Sequence, residues 1–446
     1  MDAPTTALIA TALLLLLLAV RTPVALALLT AGVVGLWLLD GFDLAQVTLS
    51  RRGFESVGRY VLVVVPLFLG MGVLVKESGL GANLFTFGAR LFRRTPAGLV
   101  IATVFACSVF AAVCGSSVAT VAAIGRIAVR EMRRVGYDIK IALGAVGAAG
   151  TLGVLIPPSI VLVLYGIITG ESIGALLIAG IVPGILTALI YMLGILVRAR
   201  LRPSLFRVSS QSTDDEGRDE SSDGASAYPP VRGLIEAGSL ALLVMGSLYT
   251  GIATVVESAA LGAVGALIVL LLRRRTASRL SRLRSALLGT TELNAMIFLL
   301  LVGSGVFSYF LVTAGIPREA VALISQVDLS PGLVVVVILL VFVPLGMFLD
   351  PISMILIAVP LAYPVVVGAL DFNGIWFGIL VVKMTELAAI TPPLGLNAYV
   401  VAGVADDVSV DQAFAAVAWY IPLDVLTIAV LFIFPEISTW LPGLMQ

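Results

Sequence analysis

The stretch Thr385-Glu-Leu-Ala-Ala-Ile-Thr-Pro-Pro-Leu-Gly-Leu-Asn-Ala-Tyr-Val-Val-Ala-Gly403 decides how the rest of the chain is read. It is apolar enough to lie in a membrane, yet Thr391-Pro392-Pro393 places two adjacent prolines inside it. Proline lacks a backbone N–H and disfavours helix at the residue before it, so a helix breaks there. Hydrocarbon offers no partner for the carbonyls such a break frees, and non-helical backbone at bilayer depth is tolerated only where protein buries it or it lines a cavity. The break therefore marks a candidate site. The same device occurs at Gly150-Thr-Leu-Gly-Val-Leu-Ile-Pro157-Pro158-Ser159. Two interrupted apolar segments at corresponding places in two halves point to the binding site of a secondary transporter.

The correspondence extends beyond the breaks. Pro157 to Pro392 and Gly115 to Asp350 are both offsets of 235, Gly70 to Gly303 is 233, Thr22 to Thr254 is 232 and Pro183 to Pro422 is 239. A slow drift of this kind is what a diverged duplication with small insertions produces, whereas chance matches scatter.

Composition sets the solvent. Of 446 residues 60% are hydrophobic and 12% charged, and the mean hydropathy is +1.12. Soluble domains carry about 45–50% apolar and about 25% charged residues. The chain reads as a multi-pass protein of the inner (cytoplasmic) membrane, in contact with lipid. A formal net charge of zero argues against nucleic acid as a partner, and the absence of histidine removes the commonest general base and metal ligand. There is no His-Glu-x-x-His or Gly-x-Ser-x-Gly motif, so the sequence speaks against an enzyme. Cys107 and Cys114, seven residues apart in one apolar segment, read as buried packing residues.

In chain order, residues 7–20 and 23–39 are short apolar runs that could form one broken span or two; their counterparts 233–249 and 254–272 favour two. Residues 43–59 suit a helix at the interface. The apolar legs 97–113 and 118–129 flank Cys114-Gly-Ser-Ser117 and are short for full spans, which predicts a re-entrant hairpin. A second hairpin over 332–368 turns at Asp350. The expected fold is an all-α polytopic membrane protein of two repeats, each with a re-entrant helical hairpin and a Pro-Pro-broken helix. Five crossings per unit make the repeats inverted. The basic stretches Arg126–Lys140, Arg198–Arg207 and Arg273–Arg284 then share one face, which should be cytoplasmic. The predicted organisation is scaffold helices and an interfacial arm over 1–59, the first repeat of a transport domain over 60–197, a disordered cytoplasmic linker over 198–232, scaffold and arm over 233–289, and the second transport repeat over 290–446.

The chemistry at these places is one of oxygens. The first tip offers the Ser116 and Ser117 hydroxyls beside Gly115, and the first break offers freed carbonyls from Gly150 to Ile156, Gly153 among them. These are hard, uncharged donors that suit a monovalent cation such as sodium. The second break offers Thr391, Asn397 and the carbonyls of residues 388–390. Helix starts after Pro157-Pro158 and Pro392-Pro393, with Gly395 in the second turn, aim positive dipole ends inward and favour an anionic substrate. Serine and glycine in apolar helices otherwise serve close packing. Asp350, an intramembrane carboxylate at a hairpin tip, is assigned to translocation. Lys383 and Glu386 sit three apart and read as a mutually neutralising structural pair.

The segments Cys-Gly-Ser-Ser-Val-Ala-Thr-Val-Ala-Ala-Ile-Gly (114–125), Ile-Pro-Pro-Ser-Ile (156–160), Phe-Leu-Asp (348–350) and Thr-Pro-Pro-Leu-Gly-Leu-Asn (391–397) resemble the large membrane subunit of tripartite ATP-independent periplasmic (TRAP) transporters. The resemblance covers essentially the whole chain except 205–232. It implies a sodium-coupled carrier of elevator type for organic acids such as C4-dicarboxylates, sialic acid or other sugar acids. It also implies a small four-helix membrane subunit and a secreted substrate-binding protein as partners, with no cofactor beyond the coupling ion. Carried onto this sequence, one sodium site would use Ser116 with backbone near Gly153, the other Thr391 and its neighbours. The family pattern commonly has serine where Cys114 stands, and a thiol is the poorer sodium ligand.

The rival reading is a stand-alone ion-coupled organic anion symporter of the same architecture. Independently of that choice, the acidic low-complexity segment Ser209–Gly224 is too polar to bury a core. Deleting residues 210–227 should leave expression and transport nearly unchanged, as judged by membrane yield and uptake.

Overall fold

The structure, a computed structural model, describes residues 2–206, 229–273, 278–326, 329–393, 395–405 and 407–444. The acidic stretch within 207–228, and with it most of the expected linker, lies outside the described residues. Every regular element among the described residues is helical. In the first half α1 (Ala3–Ala19) and α2 (Val24–Asp40) form a hairpin, and the expected interfacial helix is α3 (Phe42–Glu55). A short 3-10 turn leads into α4 (Val64–Ser78) and then α5 (Leu80–Leu91). The first hairpin is α6 (Gly98–Cys114) and α7 (Ser117–Arg134). The first broken helix is α8 (Ile139–Leu155) with α9 (Ile160–Thr169), followed by α10 (Ile173–Ala179) and α11 (Ile181–Leu201).

The second half repeats this order. A helix with one π-turn comprises α12 (Pro230–Ala241) and α13 (Ser247–Tyr249), and α14 (Val255–Leu272) follows. Next come α15 (Arg279–Thr313) and α16 (Ile316–Gln326). The second hairpin is α17 (Pro331–Phe348) and α18 (Pro351–Tyr363); the second broken helix is α19 (Gly374–Ala389) with α20 (Leu396–Val404). The chain closes with α21 (Val410–Val417), α22 (Ile421–Ile433) and α23 (Glu436–Gly443). Among the described residues nine helices are long and apolar enough to cross a membrane, while α1, α2 and α6 are apolar but shorter. Both legs of the second hairpin belong to the nine, at 18 and 19 residues. Each leg thus rises about 27 Å, close to the roughly 30 Å core, so its length alone does not distinguish it from a full span.

Two boundaries differ from the sequence reading. The amphipathic stretch ending at Arg284 and the span from residue 290 form one unbroken helix, α15, in which Gly289 packs against the Val73 side chain of α4 and a lone glycine is tolerated inside a helix. A boundary at 289/290 therefore falls inside a helix. At the other edge, α11 runs on through Arg198–Leu201, inside the range given to the linker, and is stopped only near Pro203.

Packing gathers most of the helices into two groups, which meet where α4, α5 and α12 pack on α6. In the first, α15 lies along α2 and α4, and α14 along α4. Glycines permit these approaches. A Cβ at Gly303 would strike the Ala25 carbonyl oxygen, one at Gly32 would stand 2.9 Å from the Phe307 backbone, and one at Gly262 would stand 2.6 Å from the Met71 sulfur. Close backbone approach of this kind is the usual source of helix association in lipid, where apolar surface alone gives no preference. Polar side chains fasten one end of the group: Arg273 donates to Glu236 Oε2 at 2.7 Å and to Asn83 Oδ1 at 3.1 Å, joining α14, α12 and α5. In the second group the α6–α7 hairpin packs on α8, α20 and α21 cover α7 and α8, α17 packs on α19, and α18 on α9.

Replacing Gly303 by valine should destabilise the α2–α15 contact by about 1–3 kcal/mol, since overpacking displaces backbone. Gly238→Ala, at a position with nothing within 4 Å, serves as the neutral control. Thermal unfolding of the purified proteins measures the difference.

Candidate transport site

At the first tip α6 stops where Gly115 turns left-handed, with φ +67°. Ser116 is extended and caps α7, its hydroxyl accepting from the Ala119 N–H at 3.4 Å, while the Thr120 hydroxyl donates to the Ser116 carbonyl at 2.8 Å. The tip rests on the first break, and glycines make that contact possible. A Cβ at Gly115 would lie 2.5 Å from the Pro158 carbonyl, and one at Gly153 would lie 2.6 Å from the Ser116 carbonyl and 2.8 Å from the Thr120 hydroxyl. The structure therefore brings together Gly115, Ser116, Gly153 and Pro158, as the sequence reading expected, and adds Thr120. Ser117 is buried beside them.

The break itself is managed by Ser159, whose role the sequence reading did not assign. Its hydroxyl donates to the Val154 carbonyl, freed where α8 ends, and accepts from the Leu162 N–H at 3.2 Å, capping α9. One hydroxyl thus serves both sides of the interruption. The signal was available: serine directly after Pro-Pro and before an apolar run is an N-cap pattern.

The second site is built differently. Asp350 caps α18 with its carboxylate, which accepts from the Ile352 and Ser353 N–H groups at 3.0 and 3.2 Å and from the Ser353 hydroxyl. Beside it, Gly346 of α17 lies against Ala388, three residues before Thr391. At the break the Thr391 hydroxyl donates to the Leu387 carbonyl at 2.6 Å, and a Cβ at Gly395 would stand 2.8 and 2.9 Å from the carbonyl oxygens of Ala389 and Thr391. Uncharged oxygens thus converge here as well. Pro157 and Pro158 are buried, whereas Pro392 and Pro393 are exposed. Asn397 makes no hydrogen bond to Thr391. It is fully buried and donates to the Gly147 carbonyl of α8 at 3.3 Å, leaving its own carbonyl oxygen without a hydrogen-bond partner.

Behind α19 lies a charged cluster that the sequence reading half saw. Lys383 donates to Glu386 at 2.7 Å, the pair expected from their spacing, but it also binds Asp424 of α22. The Tyr191 hydroxyl of α11 donates to the same Asp424 oxygen at 2.7 Å. All four side chains are fully buried. The cluster ties α19, α22 and α11 together; removing one partner of such a buried set is strongly destabilising. Asp424 could have been found as a lone charge in the apolar run 412–434.

Each half thus holds a hairpin tip close to a helix break where uncharged oxygens gather. Residues 11–437 match the family described as the tripartite ATP-independent periplasmic transporter, DctM component. The chain belongs to this family. It is 36% identical over 398 residues to the C4-dicarboxylate TRAP transporter large permease protein DctM of Pseudomonas aeruginosa, covering 89% of each chain. It is 30% identical to the protein of the same description from Vibrio cholerae, covering 96% of this chain and 95% of that one. The ectoine TRAP transporter large permease protein TeaC of Halomonas elongata is 27% identical, with 99% of each chain covered. The fold is also that of the Alcanivorax borkumensis YdaH transporter crystal structure, with a TM-score of 0.63 at 16% identity over 92% of this chain and 96% of that one. A TRAP large permease is a multi-pass inner-membrane transport protein and not an enzyme, in keeping with the nine apolar helices among the described residues.

Asp350 separates two roles within the large permease. Asparagine caps a helix as well as aspartate, and alanine costs about 1 kcal/mol. Asp350→Asn should therefore unfold at the parent temperature while uptake collapses, and Asp350→Ala should unfold at a lower temperature as well as lose uptake. Near-normal uptake by Asp350→Asn would reduce the residue to a cap.

Proposed function

We propose that this chain is the large permease of a sodium-coupled importer for a small organic acid, fed by a secreted substrate-binding protein and completed by a small four-helix membrane subunit. The observation that carries the reading is the pairing of each hairpin tip with a break lined by uncharged oxygens. Ser116, Thr120 and the backbone near Gly153 supply the first set, and Thr391 with the carbonyls around Gly395 the second. Such donors suit a cation taken up and released in each cycle better than a permanently bound one. Family relatives are named for C4-dicarboxylate, sialic acid, 2,3-diketo-L-gulonate and isethionate, which share a carboxylate or sulfonate. The isethionate relative is named DctMQ, and the chain covers 64% of its length, which leaves room for a second membrane component.

The repeats are inverted in this proposal, and the basic stretches face the cytoplasm. The framework then holds α4 and α15 along with α1, α2, α12 and α14, because these helices pack on one another. The hairpins and broken helices move against it as an elevator. The C-terminal ends of α9 and α18 lie toward the outside.

Uptake of labelled succinate into proteoliposomes tests the reading. The chain alone should accumulate none, and adding the small subunit with the liganded binding protein should restore uptake under an inward sodium gradient. Ser116→Ala should raise the sodium concentration for half-maximal uptake about tenfold, as expected for a neutral ligand worth on the order of 1.4 kcal/mol. Full uptake in sodium-free buffer on a proton gradient would refute the coupling. Saturable sodium-driven uptake by the isolated chain would establish the stand-alone symporter.

A further inference from the structure

A cavity of about 860 Å³ opens between α3 and the turn after it, the end of α9, the last turns of α15 and the middle of α18. It lies apart from the ion sites at the breaks: its α18 lining, Leu356 and Pro360, stands six and ten residues beyond Asp350. Its volume falls within the roughly 300–1,000 Å³ usual for small-molecule sites. One wall belongs to the framework helix α15, where Leu301, Ser304, Ser308 and Val312 recur at helical spacing, and the facing wall belongs to the moving group.

Its charge is unbalanced. Three charged side chains line it: Arg52, Arg59 and Glu55. Glu55 is paired with Arg52 at 3.1 Å, and the Arg52 guanidinium also lies over the Tyr309 ring, 4.7 Å from its centre. Arg59 has no carboxylate within ion-pair distance among the described residues, and its hydrogen bond goes to the Ile167 carbonyl at 3.3 Å. A guanidinium has five donors in a fork that matches a carboxylate. Arg59 is exposed where it lines the cavity, so its remaining donors are open to a solute there.

We propose that this cavity is a binding site for a small organic anion, with Arg59 as its anchor. It deepens the transport reading, on which it rests for the direction of traffic: it is an outer receiving site where the acid stands before it reaches the breaks. Because Arg59 also holds the end of α9, an anion on its fork contacts framework and moving group through one side chain.

The test reads charge directly and needs no uptake. Ser308→Cys is placed in phosphatidylcholine nanodiscs, with the parent protein, whose Cys107 and Cys114 are buried, as background. It is reacted with anionic sulfonatoethyl and cationic trimethylammonioethyl methanethiosulfonates, each rate being divided by that for free mercaptoethanol. The anionic reagent should be favoured about fivefold, and Arg59→Gln should bring the ratio to about one, since a single charge of one sign focuses counter-ions in a cleft. Succinate should slow the reaction, while choline should not. A ratio near one in the Arg59 protein, or no effect of Arg59→Gln, overturns the proposal. Slowing by phosphatidylglycerol in the disc without any effect of succinate assigns the site to lipid headgroups and overturns the receiving role. If Ser308→Cys does not fold, Ser304→Cys reports from the same helix face one turn away. Sodium-independent uptake would sink the coupling reading and leave these ratios untouched.

Discussion

The constraint on which this structure depends is that lipid supplies no hydrogen bonds. Every N–H and C=O at bilayer depth must find its partner within the protein. Twice the chain breaks a helix in that setting, and the surrounding architecture answers the groups so freed. At the first break Ser159 takes a carbonyl from one half-helix and an amide from the other, and the tip of a separate hairpin is pressed onto the remaining oxygens. At the second, Thr391 folds its hydroxyl back on Leu387 and carbonyls crowd around Gly395. The glycines at the contact points follow from this: only a residue without a Cβ lets one backbone approach another so closely.

How much of this was legible depends on the range of each effect. A proline pair acts on its own residues, so both breaks and both hairpins could be placed from local sequence. Ser116 and the backbone at Gly153 meet as the family resemblance implied, and the Pro158 carbonyl joins them at Gly115. Asn397 shows the reach of a distant partner. Its neighbours in sequence suggested the second break, but its partner is Gly147, which lies 250 residues away. The Lys383–Glu386 pair followed from spacing, whereas Asp424 and Tyr191 joined it through helix packing that no local pattern encodes. Gly289 looked like a boundary and is not one, since a glycine breaks a helix only where something else needs the turn.

The two halves, similar in the order of their helices, also differ. The first tip uses neutral hydroxyls and the second a carboxylate, and the first proline pair is buried where the second is open. The charged cluster stiffens the rear of α19, with its counterpart position on α8 left apolar and glycine-rich. Similar backbones therefore carry unlike electrostatics.

The unbroken α15 has one more implication. Thirty-five residues of helix span about 52 Å, against a hydrocarbon core of roughly 30 Å. Its first turns carry Arg279, Arg282 and Arg284, which belong at the level of the headgroups rather than within the acyl chains. The helix therefore works as a depth gauge. Its arginines fix the height of the whole framework against one leaflet, and bilayer thickness sets where the opposite end emerges. A thinner or thicker membrane would tilt this rod, and with it the helices α2 and α4 packed along it.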